Sequence, residues 1–171
     1  MRAMDSGTLL LLRTLIVLTV AAIPQNGYYW TLLPEKVATH FGANGQPDDW
    51  MSKSAATLLM LGLQLIMPWF FVGIGHSLKH MPASLINVPH REYWFAEERR
   101  PESLVKMQRF MLAFACIQSM FFMAINHLTF KANITGGPLN MAAFGLALSL
   151  FLVAVAVLVV GLFRRFRLPK P

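Results

Sequence analysis

Four long apolar stretches, about Leu10 to Leu33, Ser54 to Gly75, Met107 to Leu128 and Met141 to Phe163, alternate along the chain with short polar connections. Hydrocarbon about 30 Å thick is crossed by roughly 20 apolar residues in helical form, so each stretch predicts a membrane-spanning helix. Between them lie an outer loop at 34–53, a cytoplasmic loop at 76–106 and a short link before the fourth span. None leaves room for a separate soluble domain. The expectation is one all-α unit over residues 1–171, a polytopic bundle of four transmembrane helices.

The first stretch is the least regular. Arg13 lies near its start, and Pro24-Gln25-Asn26-Gly27 interrupts its far half. A basic start, the apolar Leu15-Ile16-Val17-Leu18 and the small residues Val20-Ala21-Ala22 also fit a cleaved signal peptide. Tyr28-Tyr29-Trp30-Thr31-Leu32-Leu33 favours a retained helix, because it continues the apolar character and supplies an aromatic belt at the interface. Pro24 then reads as a kink.

Composition agrees with membrane insertion: 56% of residues are hydrophobic and only 13% charged, far from the balance of a soluble domain. The charges are distributed asymmetrically. With both termini cytoplasmic, the inner side holds Arg2, Arg13, Lys79, Arg91, Arg99, Arg100, Lys106, Arg109, Arg164, Arg165, Arg167 and Lys170, against Lys36, Lys53 and Lys131 outside. That bias sets the orientation. The net charge of +7 is thus a topology signal and a grip on the anionic headgroups of the bilayer. No basic run is long enough to indicate nucleic-acid binding. Cys116, the single cysteine, is expected mid-span as a packing residue.

The connections carry recognisable turn chemistry. Asn44-Gly45 is a turn dipeptide, Pro47-Asp48-Asp49 is expected to initiate and cap the second helix, and Gly136-Gly137-Pro138 closes the last outer link. Gly42 and Gly45 lack phosphate-loop spacing and read as positions of positive φ. On the inner side, Asn87-Val88-Pro89 and Arg100-Pro101 bracket "HREYWFAEERR", which predicts an interfacial segment with Tyr93, Trp94 and Phe95 at headgroup level. Pro101 fits the first turn of the third helix.

The stretch "LPEKVATHFGANGQPDDWMSK" resembles the signature of a bacterial membrane family catalogued as domain of unknown function 1648. The matching positions are Pro34, Thr39, His40, Phe41, Asn44, Gly45 and Asp48. The inner "INVPHREYWFAEERR", with Asn87, Pro89, Tyr93, Trp94, Glu98, Arg99 and Arg100, is similar to the inner loop of small stand-alone members, and "HLTFKAN" is also family-like. The signature also opens SdpI-type immunity and signalling proteins, whose additional spans this chain is too short to carry. The resemblance implies a multi-pass protein of a bacterial inner membrane and leaves its activity open.

Several residues invite chemistry. His40 and Asp48 on the outer loop and His127 at the outer end of the third helix could together hold zinc, but no HExxH pair is present and the favoured reading is structural, with His40 bonding the loop backbone and Asp48 capping the second helix. Gln64 in the second span, Gln118 beside Ser119 in the third and Ser149 in the fourth are expected to meet inside the bundle, because an amide in hydrocarbon needs a partner. The methionine pairs Met107/Met111 and Met120/Met123 read as packing rather than copper ligands. His76, His80 and His90 are expected at a headgroup-binding surface. No GxSxG elbow is present, and neither Asp48-Asp49 nor Glu97-Glu98 forms a natural acid/base couple. The favoured reading is a non-enzymatic protein acting through a membrane-protein or peptide partner, in envelope stress, toxin immunity or assembly of a membrane complex, with no obligatory cofactor. A metal-dependent envelope enzyme using His40 and His127, and a small transporter or lipid-handling protein, are the competing classes.

Overall fold

The computed structural model describes residues 5–169, so Arg2 and Lys170, two of the charges assigned to the inner side, lie outside the described residues. The elements run α1 (Ser6–Leu32), β1 (Lys36–Phe41), β2 (Pro47–Ser52), α2 (Lys53–Ser77), α3 (Arg91–Trp94), α4 (Arg100–Thr135) and α5 (Met141–Arg165). Four of these helices, α1, α2, α4 and α5, are long and apolar enough to cross a membrane.

Three of the four spans start where a side chain satisfies free N–H groups of the first turn, while α4 starts without a side-chain cap and has Pro101 in its first turn. Asp5 accepts from the amides of Gly7 and Thr8, Ser52 from Ala55 and Asn140 from Ala143. The two Thr8 hydrogen bonds, through hydroxyl and amide, hold the Asp5 carboxyl below the usual carboxylate range, and Arg109 adds to the effect. At the far end of α4, Gly136 takes a positive φ of 63° and closes the helix.

The buried residues of α1, Leu15, Ala22, Asn26 and Tyr29, fall on one narrow stripe, as do Thr57, Gln64, Pro68 and Gly75 of α2. Both stripes face α4, which carries the most buried side chains of the four spans. Gly75 lets α2 approach closely, since a Cβ there would stand 3.0 Å from the Cβ of Met111. Helix α5 has no buried residue; it lies outside the α1–α2–α4 core, and its outward face consists of Leu146, Leu150, Val153 and Val157 among others.

Two expectations are corrected. The outer loop at 34–53 is built as an antiparallel β-hairpin, and Pro47-Asp48-Asp49 begin its second strand instead of initiating α2, which Ser52 caps. The β-branched Val37 and Thr39, together with an Asn-Gly turn, are a strand signal that a search for membrane spans passes over. The third span is also longer than its apolar window, 36 residues or about 54 Å, and so reaches beyond the hydrocarbon at both ends. Its polar ends hold the extramembrane structures on either side.

Candidate functional site

The best-connected polar group of the described residues lies inside the bundle, on the half nearer the hairpin. Gln64 of α2 donates from Nε2 to Gln25 Oε1 (2.8 Å), and its Oε1 accepts from Asn26 Nδ2 (2.5 Å) and Asn126 Nδ2 (3.3 Å). Asn126 also donates to Asn26 Oδ1 (3.2 Å), and Gln25 Nε2 donates to the Met123 carbonyl (3.0 Å). Four amides thereby tie α1, α2 and α4 together where no water competes. Asn126 is fully buried, and its Oδ1 accepts from no donor among the described residues.

This arrangement corrects the expected Gln64–Gln118–Ser149 contact. Gln118 is eight residues from Asn126 along α4, roughly 12 Å, so it lies at a different depth; it is buried with its Oε1 unpaired. Ser149 is exposed on the outward side of α5. The residues that do meet Gln64 are Gln25 and Asn26, which read as an interruption of the first span, and Asn126, which reads as a helix end. Polar side chains inside an apolar window were the available signal.

One layer towards the hairpin, the Tyr29 hydroxyl is hydrogen-bonded to His127 Nδ1, and the Tyr29 ring stands edge-on to Phe130. Above this, the hairpin is fixed to the bundle at three points. Asn133 acts towards Ala38 as a neighbouring strand would: its Oδ1 accepts from the Ala38 amide (2.6 Å) and its Nδ2 donates to the Ala38 carbonyl (2.9 Å). Leu139 N–H donates to the Gly45 carbonyl (2.8 Å), and Lys53 N–H to the Glu35 carbonyl (2.9 Å). Gly45 is doubly constrained, with φ +79° and a carbonyl 2.7 Å from where a Cβ would sit. Gly42 does not share the positive φ expected of it.

The signature residues therefore occupy one folded element. Pro34 ends α1, Thr39 falls at a break in the β1 register, Phe41 closes the ladder against Pro47, and the Asn44 side chain accepts from Gln46 N. His40 Nδ1 bonds Asp48 Oδ1 at 2.5 Å, both side chains exposed. The zinc set His40, Asp48 and His127 is not assembled: among the described residues no three His, Cys, Asp or Glu side chains group closely enough to hold a metal ion. His40 and Asp48 are paired across the hairpin, whereas His127 is engaged by Tyr29 on the bundle.

On the opposite side, the segment between α2 and α4 folds over the bundle end. Leu78, Ile86, Val88, Phe95, Met107 and Phe166 form a small hydrophobic core there. Arg100 donates to the carbonyls of Met81 and Lys79, Ser103 Oγ to that of Trp94, and Trp94 Nε1 to that of Phe166. The Arg99 guanidinium lies 4.0 Å from the Tyr93 ring centroid. Asn87, Pro89 and Glu98 stand at the surface of this segment, Pro89 half-covered and the other two exposed.

A four-span helical protein with a hairpin cap on one side and a folded loop on the other is a polytopic membrane protein. Residues 14–65, from α1 through the hairpin into α2, match the family model described as Domain of unknown function (DUF1648). No curated protein and no solved structure matches the chain.

Proposed function

We propose that this is a non-catalytic protein of a bacterial cytoplasmic membrane, with both termini inside, that acts by engaging a partner protein or peptide on its hairpin side. The observation that carries this reading is the hairpin itself. It is fixed to the bundle by Asn133, Leu139 and Lys53, yet β2 leaves one edge unpaired by another strand and exposes Trp50 and Met51. A rigid strand edge with exposed apolar side chains is a recognition element, since its backbone can pair with an added strand. The side chains best suited to chemistry are engaged otherwise: His40 with Asp48, His127 with Tyr29, and Gln64 with three amides. Envelope stress, toxin immunity and assembly of a larger membrane complex are the settings such a protein suits.

A photo-crosslinking residue at Trp50 or Met51, compared with one at the lipid-facing Leu152, tests the reading in cells. The expected result is one product of defined mass from the hairpin positions, lost in an Asp49→Pro variant that keeps the bundle folded. Absence of that product, or a turnover activity abolished by His40→Ala, would overturn it.

A further inference from the structure

The loop between α2 and α4 encloses an open cavity of about 530 Å³, lined by Ile86, Asn87, Val88, His90, Arg91, Glu92, Tyr93 and Leu168. Its walls divide by chemistry. Ile86 and Val88 belong to the loop's buried core, and Leu168 continues the apolar side beyond α5. His90, Arg91, Asn87 and Tyr93 supply hydrogen-bonding groups opposite, with Glu92 as the one acid. From this geometry we infer that the cavity is a binding site for an anionic phospholipid, with the phosphodiester held by Arg91 and His90 and the start of an acyl chain lying along Leu168 and Ile86.

Three observations support the assignment. First, the guanidinium lining the cavity has capacity to spare: Arg91 donates from Nη1 to the Ser84 carbonyl and makes no ion pair among the described residues. A guanidinium with free N–H groups matches a phosphodiester oxygen. Second, the cavity lies just beyond the spans, between the end of α2 at Ser77 and the start of α4 at Arg100 and next to the α5 terminus with Arg164 and Arg165, where the headgroups of a bilayer crossed by these spans would stand. Leu85 and Leu168, 66% and 47% exposed in a polar segment, are placed to meet acyl chains there. Third, His90 has φ 52° and ψ 41°, a left-handed conformation in which an imidazole is less comfortable than glycine. A backbone held in this sparsely populated conformation at the mouth of a cavity places the imidazole for a ligand rather than for the turn.

The test uses the detergent-purified full chain, with lipid retention read by native mass spectrometry and stability by thermal melting. The probes are phosphatidylglycerol, phosphatidylcholine and soluble glycerol phosphate. Phosphatidylglycerol is expected to bind about tenfold more tightly than phosphatidylcholine, and Arg91→Ala to remove about that margin, as loss of a charge-assisted hydrogen bond does. His90→Gly separates ligand from fold: it should raise the lipid-free melting temperature while weakening phosphatidylglycerol retention. Equal retention of the two lipids, or unchanged phosphatidylglycerol affinity in both variants, would overturn the assignment. Glycerol phosphate binding as tightly as phosphatidylglycerol would also overturn it, pointing to a soluble phosphate compound.

Discussion

Gln64 and Gln118 are the same residue type, both buried within spans, yet their surroundings predict opposite responses to substitution. Gln64 joins α1 and α4 through bonds to Gln25, Asn26 and Asn126. Hydrogen bonds between transmembrane helices contribute about 0.6 kcal/mol on average and up to about 1.7, and loss of a shared partner leaves the other amides unpaired. Gln64→Leu is therefore expected to destabilise the bundle by about 1–3 kcal/mol. Gln118 has an unpaired Oε1, so Gln118→Leu removes a buried orphan and should be neutral or stabilising by up to about 1 kcal/mol. Unfolding of the two variants in mixed micelles against denaturant measures the contrast; equal losses would mean that the amide cluster does not join the helices. That Gln64 needs a partner was legible from its position in an apolar run. Its partner was not, because depth in a bundle depends on helix stagger, and α4 lies so that Asn126 rather than Gln118 comes level with Gln64.

Among the elements, the helices were legible because apolar length and span coincide, whereas the hairpin was hidden by its mixed character. Only Val37, Ala38 and the adjoining Leu33 turn inward from it, and β2 is exposed beyond the half-covered Pro47. What holds such a weak two-stranded element is tertiary, since an isolated hairpin is marginal in water. Asn133 supplies both hydrogen bonds to Ala38, whose backbone is otherwise buried without a neighbour on that edge. No spacing in the sequence links Asn133 to Ala38, so this contact could not have been anticipated. Asn133→Ala leaves both backbone groups unpaired, a penalty of about 1–3 kcal/mol concentrated on one element. The expected outcome is faster amide exchange at Val37 and Ala38 and proteolytic nicking near Ala43, with the exchange of α1, α2 and α4 unchanged. Exchange rising equally throughout the bundle would show that hairpin and helices unfold as a single unit. Asn133→Asp, which keeps the acceptor and loses the donor, should fall between the two.

At the scale of the whole molecule, orientation follows from the distribution of Lys and Arg relative to the two folded ends. Lys36, Lys53 and Lys131 cluster around the hairpin, and Lys53 sits 5.0 Å from the Trp30 ring centroid at the interface there. The opposite end collects Arg13, Lys79, Arg91, Arg99, Arg100, Lys106, Arg109, Arg164, Arg165 and Arg167, and Arg109 pairs with Asp5 at the start of α1. Cationic segments resist translocation, so the hairpin is expected outside and the α2–α4 loop inside. The fold makes this directly measurable, because Cys116 is buried and close to the Leu11 carbonyl, and its replacement by alanine leaves a cysteine-free chain. On that background, Asp49→Cys in β2 should react with a membrane-impermeant maleimide in intact cells, while Ser84→Cys in the inner loop should react only after permeabilisation. Both positions are exposed, so a difference between them reports sidedness rather than burial. The reverse pattern would place the cavity at His90 and Arg91 outside, moving the lipid site to the other leaflet and putting the hairpin within reach of cytoplasmic partners.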